Sequence, residues 1–134
     1  METIKSKIGI IKQTDEKVFG FLSDFRNFSK FIPSDKINNW SATSDTCHFN
    51  IMGIGQAGLI ILEKSPNKLI KISSHENTVV KFLLWININR VDETSSEIHI
   101  TIQPDVNPVM MTLIKSQLKS FADLLITQIE KISF

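Results

Sequence analysis

Three histidines, one cysteine, a glycine triplet and a few charged residues on apolar strand faces are the groups in this 134-residue chain that could do chemistry. Gly53, Gly55 and Gly58 spell GxGxxG, the spacing that lets a backbone approach a pyrophosphate at a helix N-terminus. Here the strand-like run Leu59-Ile60-Ile61-Leu62 follows, with no helix to supply amides, so the glycines predict a flexible hairpin instead. Imidazole is the usual acid-base or metal-binding group near neutral pH. His48, His75 and His99, however, lie on the parity opposite Phe49/Ile51, Ile70/Ile72 and Ile98/Ile100. Side chains two apart share a strand face, so all three are expected to face solvent. No HxxH, HExxH or CxxC spacing is present, and neither a metal nor a cofactor is expected. Cys47 shares the inward parity and reads as a buried thiol with no base to activate it.

Polar groups with inward parity are few. Ser6 and Ser74 lie among apolar positions, and Glu76 and Arg90 continue the apolar faces of their strands, although a solvated strand end is the plainer reading for both. Glu63 joins them if Leu59 and Ile61 face inward, but that strand is apolar on both parities and its register is open. A buried charge is costly without a partner, so any of these that lines a cavity should meet a polar ligand group. Arg90 is the first choice for orienting a carboxylate or carbonyl. Met52, Met110 and Met111 are adaptable apolar groups suited either to core filling or to a surface that accepts varied ligands.

The elements that must position these groups follow from periodicity. Ile4, Ile8 and Ile10 alternate with Lys5, Lys7 and Gly9 as a first strand, with Ser6 as the exception. Thr14 and Asp15 offer capping oxygens to a short helix, Asp15 to Ser23. A second short turn carries Phe25, Phe28, Phe31 and Ile32 on one side until Pro33 stops it; the stripe is either core or a lid. Strands then follow at Ile37 to Thr43, Cys47 to Ile51, Leu59 to Lys64, Leu69 to Glu76, Val79 to Val91 and Glu97 to Gln103. Pro66-Asn67 and Glu76-Asn77 mark turns between them. On the longest strand Val80, Phe82, Leu84, Ile86 and Ile88 share the inward face, while Leu83 and Trp85 fall on the other, where they mark a homodimer patch or packing beneath a loop. Asn107-Pro108 opens a closing helix that runs to about Ile132. Its expected apolar stripe is Met110, Ile114, Leu118, Phe121, Leu125, Ile129 and Ile132.

The bulk numbers exclude some classes. The formal charge is +1 and neither sign forms a block, whereas nucleic-acid binding draws its affinity from basic stripes. The longest wholly apolar run, Phe82 to Ile86, falls far short of the roughly 20 residues a membrane span needs. No apolar targeting stretch follows Met1, and a lone cysteine forms no intramolecular disulfide, so a cytoplasmic location is expected. No linker or repeat divides the chain, and residues 1–134 are expected to form one domain.

This element order, with VFGFLSDFRNFSKFIP after the first strand and NPVMMTLIKSQLKSFADLLITQI at the end, resembles the START-related lipid-transfer superfamily (SRPBCC, helix-grip). The small bacterial polyketide-cyclase-like or CoxG-like members are the most similar. The resemblance implies an α+β fold in which a strongly curved antiparallel sheet of about seven strands wraps a long C-terminal helix, with two short helices after the first strand. It also implies a cavity between sheet and helix that holds sterols, lipids, polyketides or plant hormones in family members. Combined with strand parity, it marks Phe28, Ile32, Trp40, Phe49, Ile51, Ile61, Ile72, Phe82, Leu84, Ile86, Arg90, Ile100, Met110, Met111, Ile114 and Leu118 as candidate lining residues. A non-catalytic carrier or sensor of a small hydrophobic molecule fits these residues. A polyketide cyclase or aromatase-type enzyme would need Arg90 or Glu76 inside the cavity beside a second titratable group. An interaction module would have a filled cavity and would work through Leu83 and Trp85.

Overall fold

The computed structural model describes residues 2–53, 55–76 and 78–134. Its elements are β1 (Ile4–Lys5), β2 (Gly9–Ile11), α1 (Asp15–Leu22), a 3-10 segment (Phe25–Lys30), β3 (Ile37–Ala42), β4 (Thr46–Ile51), β5 (Gly55–Ser65), β6 (Leu69–Ser74), β7 (Phe82–Arg90), β8 (Ser96–Pro104) and α2 (Pro108–Glu130). One antiparallel sheet runs β1-β8-β7-β6-β5-β4-β3, with β2 also paired to β8. This is the α+β arrangement expected. Both helix caps form as the sequence predicts: Thr14 accepts from the Lys17 amide at 3.2 Å and Asn107 from the Met110 amide at 2.8 Å.

The expected first strand is broken, and its parity reverses. Ile4 is buried against Ile102, but Ile8 and Ile10 are 61% and 49% exposed, and Gly9 and Ile11 point inward instead. The break lies at Ser6, whose hydroxyl accepts the Ile100 amide at 2.8 Å. Its cause is the approach of α2, since a Cβ on Gly9 would lie 2.5 Å from Ile126 Cγ2. Only glycine lets helix and strand meet there.

Bulges reset parity twice more. Asn39, at φ 55°, interrupts the β3–β4 register, so Trp40 and Ala42 join Ile37 on the inner face. Between Ile61 and Glu63 the β5–β6 register shifts, which sets Glu63 opposite Lys71 on the outer face and answers its open orientation. The glycine hairpin is shorter than expected. Gly53 (φ 81°) turns the chain, whereas Gly55 and Gly58 belong to β5, and Ile54 lies outside the described residues. Asn77, named for the next turn, also lies outside them. Val79 and Val80, expected in the long strand, precede it and are 63% and 38% exposed. Ser96 is fully buried at the start of β8, where its hydroxyl donates to the Gln13 carbonyl at 2.8 Å.

The packed core joins α1, the 3-10 segment, the inner faces of β4 to β8 and the C-terminal half of α2, through Val18, Leu22, Phe25, Ile70, Ile72, Ile88, Ile98, Ala122, Ile126 and Ile129. Each buried aliphatic side chain contributes roughly 1.5–3 kcal/mol. Ile132 and Phe134 fold back onto this cluster, with the Phe134 ring 4.9 Å from Phe21.

Candidate functional site

The buried line of α2 is Met111, Ala122, Ile126 and Ile129. It lies about 70° around the axis from Ile114, Leu118, Phe121 and Leu125, at 3.6 residues per turn. The expected stripe is therefore rotated: Met110 is 43% exposed and Ile126, outside that stripe, is fully buried. The helix is apolar over a wide arc, and the sheet, rather than the helix's own pattern, selects the seat.

The two halves of α2 differ. Ala122, Leu125, Ile126 and Ile129 pack in the core, but no α2 residue before Ala122 belongs to the packed cluster. Met111 is buried outside it, and Ile114, Leu118 and Phe121 are half-buried. On the sheet, Trp40 and Phe49, stacked at 5.4 Å, and Ile51, Ile61, Phe82 and Leu84 are also half-buried, and all but Ile51 pack against the core cluster. Trp40 also stacks on Phe28 at 6.3 Å, which joins it to the aromatic stripe of the 3-10 segment. These side chains keep part of their apolar surface exposed.

Of the remaining candidates, Phe28, Ile72, Ile86 and Ile100 are buried in the core cluster, Met111 is buried outside it, and Ile32 is half-buried. Arg90 is a correction. It is exposed at the far end of β7, and its Nε donates to the Asp92 carbonyl at 3.3 Å, bracing the turn rather than entering the hollow. Glu76 is exposed as well. Parity forecast it as a strand residue, but β6 ends at Ser74, so nothing carries its side chain inward.

The histidines lie on the outer face. His48 is exposed, and its ring is 5.9 Å from that of His75 across Gly58, where a Cβ would stand 3.0 Å from His48 Cδ2. His99 sits on β8 opposite Asn87; partial burial, aided by Lys5, holds its pKa below the ordinary imidazole value. Cys47 is buried opposite Leu59, and burial pushes its thiol up to about 12. It is a packing group. On the outer face Leu83 and Trp85 are half-buried, and Lys71 Nζ lies 5.9 Å from the Trp85 ring centre.

A recess of about 540 Å³ opens where β6 and β7 part, and parity did not reveal it. Ser74, His75, Glu76, Lys81, Phe82 and Asp105 line it together with Ser73, Thr78, Leu83 and Gln103. The strand-like look of Val79-Val80 hid the loop that forms it.

No family model and no curated protein matches the chain. Solved structures do. A START superfamily protein from Mycobacterium smegmatis aligns with a TM-score of 0.77 at 13% identity, over 96% of this chain and 94% of that one. XoxI from Bacillus cereus aligns with a TM-score of 0.67 at 12% identity, over 96% and 94%. Norcoclaurine synthase from Thalictrum flavum, in complex with dopamine and hydroxybenzaldehyde, aligns with a TM-score of 0.68 at 12% identity, over 99% and 89%. Among the described residues no helix is long and apolar enough to cross a membrane. In element order, sheet topology and the placement of its long helix, this chain has the START-like, helix-grip fold of SRPBCC-type structures.

Proposed function

We propose that the chain binds a small hydrophobic molecule, lipid-like or aromatic, in the hollow between the sheet and the first half of α2, as a carrier or sensor. One observation carries this reading: Ile114, Leu118 and Phe121 of α2 are half-buried apolar side chains that stay outside the packed core. Apolar surface held open inside a fold is where such ligands bind, because they bury it without reorganising the scaffold. The norcoclaurine synthase complex, which contains two aromatic molecules, supports the capacity of this fold for such ligands. The lining set is Trp40, Phe49, Ile51, Ile61, Phe82, Leu84, Ile114 and Leu118, extended by Phe121. A cyclase-type activity is not favoured, because Arg90 and Glu76 are both exposed rather than inside the hollow.

Native mass spectrometry of freshly purified protein tests the reading. A retained small molecule, lost when Leu118→Trp fills the hollow, is the expected result. A bare chain mass that no added medium-chain alcohol or aromatic compound shifts would overturn it. The same spectra report any dimer through Leu83 and Trp85.

A further inference from the structure

His48, Gly58 and His75 lie side by side in one row across the sheet. His48 on β4 is paired with Gly58 on β5, and the His75 amide, one residue beyond β6, donates to the Gly58 carbonyl at 2.8 Å. Residues opposite one another in a sheet share a face, so the two imidazoles stand on either side of a residue that has no side chain. Two strand spacings set their backbones roughly 9.5 Å apart. Across the bare glycine the ring centres nevertheless approach to 5.9 Å, with the planes tilted by 47°. A side chain at that position would close the space, since a Cβ on Gly58 would lie 3.0 Å from His48 Cδ2 and 3.2 Å from the Glu76 carbonyl oxygen. No sequence spacing announces the pair, because sheet topology brings it together.

Two imidazoles facing across one small space are a donor set for zinc, copper or nickel ions. An ion held at about 2.1 Å from one nitrogen of each ring stands roughly 3.2 Å from each ring centre, so ligating pairs have centres roughly 4.5–6.4 Å apart. The observed separation falls inside that range. Among the described residues no third histidine, cysteine or carboxylate completes the group, so water fills the remaining positions and the ion stays exchangeable. We propose that His48 and His75 bind one divalent transition-metal ion of the zinc or copper class on the outer face of the sheet, clamping β4 to β6 across Gly58. The site is independent of the hollow, which lies on the opposite face.

Calorimetry with Zn2+, and electron paramagnetic resonance with one equivalent of Cu2+, test it on the intact chain in a buffer that does not bind metal. The expected result is one Zn2+ per chain and a copper spectrum with nitrogen couplings from two imidazoles. His48→Ala and His75→Ala should each weaken Zn2+ binding by about a hundredfold or more, because the second imidazole of a chelating pair binds intramolecularly. The double variant should be little weaker than either single one, since the rings act as a unit, whereas His99→Ala, on β8, should change nothing. Zn2+ should also raise the urea midpoint of the unaltered chain and not that of the His48 or His75 variants. The copper spectrum needs no variant. Absence of Zn2+ binding, copper coupled to a single imidazole, losses that add in the double variant, or an affinity that survives removal of either ring would overturn the inference.

Discussion

At the end of the core where α1 sits, Val18, Leu22, Phe25, Ile98, Ala122 and Ile126 are shut off from water; at the end where α2 begins, Trp40, Phe49, Phe82, Leu84, Ile114 and Leu118 keep part of their surface exposed. Both ends use the same residue types and the same strand alternation. They differ in what covers the sheet. α1, the 3-10 segment and the second half of α2 converge on the first end, and Gly9 lets α2 press against β2 there. At the other end Phe28 of the 3-10 segment stacks on Trp40, and no α2 residue before Ala122 joins the packed cluster. One end is filled, and under the proposed function the other is the end that would meet a ligand.

The largest effect that would separate the two comes from truncation. Ile126→Ala should cost about 2–5 kcal/mol, as for a large-to-small change in a filled core, whereas Leu118→Ala should stay within about 1 kcal/mol because its neighbours already leave space. Urea unfolding of the two variants measures this directly, and equal costs would mean that both ends are packed alike. Gly9→Ala comes next. The added methyl must displace Ile126 or shift the helix, at a cost of about 1–3 kcal/mol for overpacking, read as a lowered urea midpoint.

Cys47 probes the filled region through reactivity. Its thiol, raised to about 12 by burial, should resist a thiol-specific disulfide reagent in the native protein and react fully in denaturant. A raised thiol pKa adds stability that is complete below the unfolded value and is lost only as pH rises toward the folded one, so stability should not vary with Cys47 across neutral pH. Rapid native labelling would show that β4 and β5 open easily.

The smallest effect concerns Asp123, which ties the β1–β2 connection to α2. Burial pushes its carboxyl up, but bonds from Lys119 at 2.9 Å and the Lys7 amide at 2.6 Å outweigh that and hold it below the ordinary carboxylate value. Its contribution is present above the unfolded pKa and is lost as pH falls through the folded, lower one. Asp123→Asn should therefore flatten the acid side of the stability profile slightly and leave neutral pH almost unchanged, as acid titration of the two proteins would show.

Local chemistry was readable from the residues wherever it acted alone. The caps at Thr14 and Asn107, the Pro66-Asn67 turn and the period of α2 depend on near neighbours, and each forms where expected. Parity failed where one residue of bulge intervened, at Ser6, Asn39 and the Ile61–Glu63 step, because a bulge is set by what packs on the strand and leaves no mark in its alternation. That is why Ile8 and Ile10 turn outward. Phe82 and Leu84 were legible as residues that pack on the inner strand face, but which line of α2 would be buried was not, since it depends on how the helix seats on the sheet. Arg90 and Met110 were misplaced for related reasons. The first ends a strand beyond the covered surface, and the second lies beside Met111 on a helix apolar over too wide an arc to choose between them.

Methyl and indole NMR spectra recorded during a decanol titration test the central claim most directly. The account predicts shifts at Trp40, Leu84, Ile114 and Leu118 that saturate together, with Ile126 and the outer-face pair Leu83 and Trp85 unmoved. Shifts confined to Leu83 and Trp85, or none at the four hollow residues, would contradict it.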